Sequence, residues 1–234
     1  AMPSLTNSKQ QPTGAAYGIV NMMRRLLSDY DPEFIAVVFD APGKTFRDDM
    51  YPEYKANRPS MPDEMRSQIA PIHKIVEALG LPLLHIAGVE ADDVIGTLSV
   101  QASNAGLEVL ISTGDKDMTQ LVNANVTVVN TMDGAVLDED GVRQKFGVAP
   151  ELIVDYLTLI GDAVDNVPGV PKVGPKTAVK WLDAYGNLDG VVANADAVKG
   201  KVGESLREFL PRLPLSRDLV TIKCDVELPL KPIE

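Results

Sequence analysis

Phe34-Ile35-Ala36-Val37-Val38-Phe39-Asp40 is an unbroken apolar run that ends in an acid. That is the pattern of a strand buried on both faces, with its last residue emerging at the carboxyl edge of a sheet. The pattern recurs downstream. Leu81 to Ile86 reads as a second buried strand, followed by Glu90, Asp92 and Asp93; Glu108 to Ser112 reads as a third, running into Gly114, Asp115 and Asp117. Val126 to Asn130 is a fourth. Helical spacing fills the intervals: Ile19, Met22, Met23, Leu26 and Leu27 before the first strand, then Met65, Ile69, Ile72, Val76 and Leu79, with a kink expected at Pro71 and a stop at Gly80. Ala91 to Ala105 reads as a further helix ending at Gly106, and Pro150 suits the first position of one running through Ile160. Strands alternating with helices predict an α/β fold with a doubly wound, mostly parallel sheet.

The remaining segments are less regular. Residues 1 to 14, with Pro3, Pro12 and Gly14, read as a loop, and residues 42 to 62 form a proline-bounded stretch without a core-facing period. Asp133-Gly134 is a hairpin-type turn signal. Beyond about residue 161 short helices between Gly and Pro dominate, Pro175 to Tyr185 being the clearest, and Thr221 to Leu230 is a strand or an extended exit. The expected division is residues 1–160 for the α/β core and 161–234 for a helical subdomain.

The chain of 234 residues, 45% of them hydrophobic and 24% charged, is long enough to bury a substantial core. It has no apolar run near the ~18 residues that span a bilayer, and its single cysteine, Cys224, excludes an internal disulfide. A soluble, cytoplasmic monomer is expected. The net charge of −11 argues against a uniformly basic nucleic-acid binder. Location matters more than the sum, however: residues 166 to 182 hold Lys172, Lys176 and Lys180 around Gly169, Gly174 and Thr177 with no acid among them. A P-loop fails there by one residue, because Pro175 separates Gly174 from Lys176.

In an open parallel sheet, loops at the carboxyl ends of the strands converge on one crevice. Asp40, Glu90, Asp92, Asp93, Asp115 and Asp117 fall at such ends, and Asp162 and Asp165 open the helical part, so all eight carboxylates can share one site. Unpaired carboxylates ~4 Å apart repel by roughly 4 kcal/mol per pair at an effective dielectric near 20. Cations must offset that. The donors are all oxygen, and His73, His85 and Cys224 lie outside these motifs, which favours two or more Mg²⁺ or Mn²⁺ ions over zinc. Singly, an acid such as Asp92 or Asp115 reads as a helix cap. As a set they read as a metal site able to cleave a phosphodiester. His73, His85, Trp181 and the Met22/Met23 stripe read as packing residues. Lys55 and Arg58 at i, i+3 beside Tyr54 suit either a helix presenting two cations and a ring to nucleic acid, or a solvated helix face with a packed tyrosine.

Val37-Val38-Phe39-Asp40-Ala41, Gly88-Val89-Glu90-Ala91-Asp92-Asp93, Ser112-Thr113-Gly114-Asp115-Lys116-Asp117 and Gly161-Asp162-Ala163-Val164-Asp165-Asn166-Val167-Pro168-Gly169 closely resemble the 5′-nuclease domains of bacterial DNA polymerase I. The resemblance runs in order along nearly the whole chain, including Tyr54-Lys55-Ala56-Asn57-Arg58-Pro59 and Thr221-Ile222-Lys223. It implies a PIN-like 5′-nuclease fold with a helix-hairpin-helix subdomain, acting as a 5′-to-3′ exonuclease and flap endonuclease on DNA flaps, nicks and RNA primers in replication and repair. By that resemblance the eight acids are metal ligands and residues 42–62 form a helical arch. Lys55 and Arg58 would stabilise charge at the scissile phosphate, Tyr54 would stack on a base, and Arg47 would assist DNA binding. Lys172, Gly174, Lys176 and Thr177 would grip duplex backbone, with a potassium ion in the loop. A polymerase domain is expected beyond Glu234, and a bacterial, nucleoid-associated location.

Two departures from the family pattern are visible. The family's leading strand, which ends in a further metal-binding aspartate, has no counterpart before Ala1, so a truncated form is expected, with a catalytically impaired branched-DNA-binding module as the alternative. Lys172 stands where relatives commonly carry glycine. An unrelated phosphohydrolase on the same sheet is disfavoured because Asp40-Ala41-Pro42 lacks a second aspartate.

Overall fold

The computed structural model of the chain describes residues 5–130 and 134–229. Pro3, Asp133 and Leu230, which carry part of the expectations for the leading loop, the turn and the exit, lie outside the described residues. Helix α1 (Gly14–Tyr30) precedes strand β1 (Val37–Val38), and α2 (Phe46–Met50), α3 (Asp63–Ala78) and strand β2 (Leu83–Leu84) follow it in the chain. α1 packs on α3 through the predicted stripe, with Met23 at its buried centre. Thr13 makes no side-chain cap at the start of α1. Gln68 of α3 supplies it instead: its Oε1 accepts the N–H groups of Ala15 at 2.9 Å and Ala16 at 3.1 Å, two of the donors a helix start leaves open. α3 runs through Pro71 and leaves Met65 and Leu79 exposed.

β1 and β2 pair in parallel over two rungs, Val37 against Leu83 and Val38 against Leu84. The longer strands expected from the apolar runs are cut short because a strand persists only where a neighbour meets its amides, and Phe34 is 48% exposed. After α4 (Ala91–Asn104), β3 (Val109–Ser112) pairs in parallel with β4 (Val126–Asn130), which pairs antiparallel with β5 (Ala135–Leu137). The architecture is α/β with parallel ladders, carried in two separate sheets among the described residues. β5 and α5 (Glu139–Phe146) were not visible in the sequence pattern. α5 is fixed by local devices: Asp138 Oδ1 accepts the Gly141 N–H at 2.8 Å, and Gly147 closes the helix in the left-handed region.

Helix α6 (Ile153–Ile160) follows a 3₁₀ turn at Pro150–Leu152 and is buried nearly all round, the mark of a central helix. It packs against α7 (Pro175–Tyr185) and α10 (Leu213–Val220), with α8 (Leu188–Ala193) and α9 (Gly200–Phe209) completing the helical part. One continuous core extends from Ile111, Met118 and Val126 through α6 to Trp181, Leu206 and Leu219. The chain then leaves α10 as an extended segment rather than a strand and lays Ile222 and Val226 on α4. Gly96 makes that approach possible, since a Cβ there would lie 2.5 Å from Ile222 Cγ2. His73 packs edge-on against Phe39 at 4.6 Å, as expected of a packing residue, whereas His85, stacked with it at 6.3 Å, is exposed. No helix of the described residues is long and apolar enough to cross a membrane.

Candidate active site

The acids are delivered where the strand ends predicted. Asp40 follows β1, and its Oδ1 accepts the Ala91 N–H at 2.8 Å, which sets it against the first turn of α4. Glu90 is the N-cap of that helix, with Asp92 and Asp93 in its first turn. Asp115 and Asp117 follow β3, and Asp115 Oδ1 accepts the Asp117 N–H at 2.9 Å. Asp162 and Asp165 lie on a tight loop closed by reciprocal backbone bonds between Asp162 and Val167 at 3.0 and 2.7 Å. Asp162 Oδ1 accepts the N–H of Val164 at 2.6 Å and of Asp165 at 3.2 Å.

Electrostatics joins these loops into two overlapping groups. Burial, followed by the charges of Asp115 and Glu90 and, more weakly, Asp40, pushes Asp92 up to about 7 against the opposing pull of Lys55. Burial, then the charges of Asp115, Asp162 and Asp165, pushes Asp117 up to about 7 although Lys116 opposes it. Asp115 belongs to both groups. Burial works against the charge on Asp162, but the Lys116 ammonium and the N–H groups of Val164 and Asp165 hold it below the usual carboxylate range. Asp117 Oδ1 is buried without a hydrogen-bond partner.

Protein cations occupy the spaces between these carboxylates. Lys55 Nζ pairs with Glu90 and lies 3.6 Å from Asp165 Oδ2, Arg58 pairs with Asp165, and Lys116 pairs with Asp162. Among the described residues no three acidic, histidine or cysteine side chains close on a single point as ligands of one ion. The donor set nevertheless fits a hard divalent cation. It is all oxygen, it contains a buried carboxylate oxygen without a partner, and two of its members are raised to about 7 by burial first and by their neighbours' charge second.

Four expected roles change. Asp93 is fully buried and is not placed as a metal ligand: it binds Arg47 in a two-pronged pair at 2.8 Å and accepts the backbone N–H groups of Glu90 and Lys223. Arg47 is accordingly buried, at 2% exposure, and not offered to DNA. Tyr54 is buried too, with its hydroxyl 3.0 Å from Glu90 Oε2 and 3.3 Å from Asp165 Oδ2, so its ring is unavailable for stacking on a base. Lys55 and Arg58 do not share a helix: residues 52–57 are turns, and Lys55 has φ 54°. The segment is held instead on the acidic loop, by Lys55 N–H to the Asp165 carbonyl at 2.9 Å, Asn57 Nδ2 to the Ala163 carbonyl at 2.8 Å and Asn166 Nδ2 to the Glu53 carbonyl at 2.7 Å. Of the stretch expected as a helical arch, only α2 is helical.

The basic patch is where the sequence placed it. Lys172, Lys176 and Lys180 are exposed around the start of α7, with Gly174 as its N-cap, Pro175 at its first position and Thr177 in its first turn. Lys172 has φ 66°, the left-handed region that favours glycine. The sequence reading missed Lys116 as a site residue. Its position between Asp115 and Asp117 was the available signal, because a cation flanked by two acids is already placed to compensate them.

Acids gathered at the carboxyl ends of parallel strands, faced by lysine and arginine from neighbouring loops, define a hydrolase class that cleaves phosphodiesters. Two family models divide the chain between them: the 5′-3′ exonuclease N-terminal resolvase-like domain matches residues 1–147, and the 5′-3′ exonuclease C-terminal SAM fold matches residues 148–234. The chain belongs to the 5′-3′ exonuclease family. It is 43% identical over 230 residues to the 5′-3′ exonuclease of Aquifex aeolicus, covering 98% of this chain and 78% of that protein. It is 54% identical over 236 residues to DNA polymerase I of Pseudomonas aeruginosa, covering 97% of this chain but 26% of that protein. A bacteriophage T5 flap endonuclease, solved as a complex with DNA and metal ions, superposes with TM-score 0.78 at 21% identity over 94% of this chain and 84% of that one.

Proposed function

We propose that the chain hydrolyses DNA phosphodiesters, and those of RNA primers, at 5′ ends, nicks and flap junctions. The supporting observation is the pair of overlapping carboxylate groups that share Asp115, the second of which contains the unpartnered buried oxygen of Asp117. Asp40, Glu90, Asp92, Asp115, Asp117, Asp162 and Asp165 would hold two or more Mg²⁺ or Mn²⁺ ions. Such ions, when bound, supply an activated water and a positive field around the reacting phosphate.

This chain's own residues do the rest. Lys55, Arg58 and Lys116 neutralise the acids in the structure described. With divalent ions held by the acids, Lys55 and Arg58, the former a quarter exposed and the latter nearly half, would be available to stabilise charge on the scissile phosphate. Lys172, Lys176, Gly174 and Thr177 would hold the duplex backbone through charge and the open N–H groups at the start of α7, and a potassium ion in the loop would add to that grip. Recognition through phosphates reads the branch and not the bases. The T5 neighbour's complex and the Pseudomonas relative support DNA as partner and a polymerase domain on the same polypeptide in the whole protein. We propose that the chain acts as a monomer.

The test is cleavage of a 5′-flap substrate and of the matching unbranched duplex, with Mg²⁺ and with chelator. Mg²⁺-dependent cutting at the flap junction, abolished by Asp115→Asn, is the expected result. Tight binding of the flap without cleavage in any divalent ion, by folded protein, would refute hydrolysis.

A further inference from the structure

The guanidinium of Arg47 is a closed account. Its Nε donates to the Leu219 carbonyl at 3.0 Å, and Nη2 donates to the Thr221 carbonyl at 2.7 Å and to Asp93 Oδ1 at 2.8 Å. Nη1 donates to Asp93 Oδ2 at 2.8 Å and lies 3.3 Å from Glu90 Oε2. Four of the five N–H groups of the guanidinium are bonded, the fifth lies in the ion pair with Glu90, and the side chain is buried, so Arg47 is not presented to a phosphate. Asp93 is closed in the same way. Besides the two Arg47 bonds, Oδ2 accepts the Glu90 N–H at 3.0 Å and Oδ1 the Lys223 N–H at 2.9 Å, which fills the roughly four lone-pair sites of a carboxylate. Three parts of the chain meet at this pair: α2, the acid-bearing end of α4, and the segment leaving α10.

We propose that Arg47 and Asp93 are positioning residues, forming a clamp that fixes Glu90 from both its backbone and its carboxylate and uses the end of α10 with the start of the exit segment, residues 219–223, as its third member. This rests on the reading of Glu90 as a metal ligand. Glu90 also receives Lys55 and the Tyr54 hydroxyl, so the clamp sets the height of the carboxylate against the turn that carries Lys55 and Arg58. A consequence is that the course of the chain after α10 is mechanically coupled to the metal-facing corner.

The experiment compares wild type, Arg47→Lys, the uncharged pair Arg47→Met/Asp93→Leu, and Glu90→Gln. Removing both members together avoids leaving one buried charge alone, and Arg47→Lys keeps the charge while losing the fork, so one variant remains informative if the other fails to fold. Circular dichroism and melting establish folding. Mn²⁺ binding is followed by electron paramagnetic resonance, and flap cleavage by kcat and KM separately. DNA affinity in chelator is measured against salt.

Groups that orient metal ligands change affinity or activity about 10–100-fold, and a fall in kcat and Mn²⁺ affinity of that size is expected in both clamp variants, with KM and the salt slope unchanged. Loss of one phosphate contact lowers the salt slope by about 0.9, so a shift of that size in Arg47→Lys would overturn the inference by making Arg47 a DNA contact. Unchanged kcat and Mn²⁺ affinity in the folded clamp variants, with Glu90→Gln impaired, would overturn it also. Glu90→Gln matching wild type in Mn²⁺ binding and cleavage would instead sink the assignment of Glu90 on which the clamp depends.

Discussion

Gly169→Ala tests whether the loop carrying Asp162 and Asp165 is held shut by direct backbone contact. A Cβ at residue 169 would lie 2.3 Å from the carbonyl carbon and oxygen of Ile160 and 2.4 Å from the Gly161 nitrogen. Ordinary contact begins near 3.4 Å, so backbone and not a flexible side chain must retreat by about an ångström. Overpacking of this kind costs about 1–3 kcal/mol. Opening the base of the loop also weakens the two Asp162–Val167 backbone bonds, at about 1 kcal/mol each. The sum is about 3–5 kcal/mol, which in a chain of this length lowers the melting temperature by roughly 6–20 °C. Because Asp162 and Asp165 ride on the loop, Mn²⁺ affinity should fall in the same variant at temperatures where it remains folded. The assay is thermal unfolding by circular dichroism paired with Mn²⁺ titration. A melting temperature within about 2 °C of wild type would refute the contact and the energetics derived from it.

Three further outcomes are expected. Asp92 and Asp117 have folded-state values raised from 3.8 to about 7, so the folded protein binds protons more readily than the unfolded chain. Stability without divalent ions must therefore fall as pH rises from about 4 through 7, and Mg²⁺ should restore it at pH 8; denaturant titrations that are flat across this window would contradict the raised values. Lys172→Gly relieves φ 66°, a strain of about 1–2 kcal/mol, against an added unfolded-chain entropy of about 0.5–1 kcal/mol. Its stability should match or slightly exceed wild type while DNA affinity drops, and a loss of stability above about 1 kcal/mol would show that Lys172 packs where it looks exposed. Tyr54→Phe removes a buried hydroxyl bonded to Glu90 and Asp165 and should cost about 1–3 kcal/mol in urea unfolding, with flap binding in chelator unaltered. A selective loss of flap binding at unchanged stability would show instead that the Tyr54 hydroxyl contacts DNA.

The fold was legible where periodicity and punctuation agree. α7 spans Pro175 to Tyr185 as read, because proline starts it and Gly186 follows its last residue. β4 is likewise Val126–Asn130, since its parallel and antiparallel neighbours give each residue a partner. Strand length elsewhere was not legible. Apolar character marks Phe34 to Phe39, but pairing ends at Val38 because the neighbouring ladder is two rungs long, and composition carries no information about a neighbour's extent. α5 and β5 escaped for a related reason: three consecutive apolar residues, Ala135–Leu137, and about two turns of mostly polar helix, Glu139–Phe146, lie below the length at which a period can be counted.

Asp92 and Asp93 show the limit of reading a site from sequence. They are adjacent, chemically identical, and both in the first turn of α4, yet one is raised to about 7 by burial and then by Asp115 and Glu90, while the other is paired with a guanidinium from a residue 46 positions away. On a helix, neighbouring residues point about 100° apart, so the first turn that aims Asp92 at the crevice aims Asp93 inward. An acid facing inward has to find a buried cation, and the chain provides one in Arg47. Density of carboxylates therefore identifies the region of the site, whereas membership is decided by helical phase and by which cations the fold brings inward. Lys116 follows the same logic from the other side: a lysine among acids is absorbed into a net charge of −11, and its pairing with Asp162 emerges only when the fold brings the two loops together.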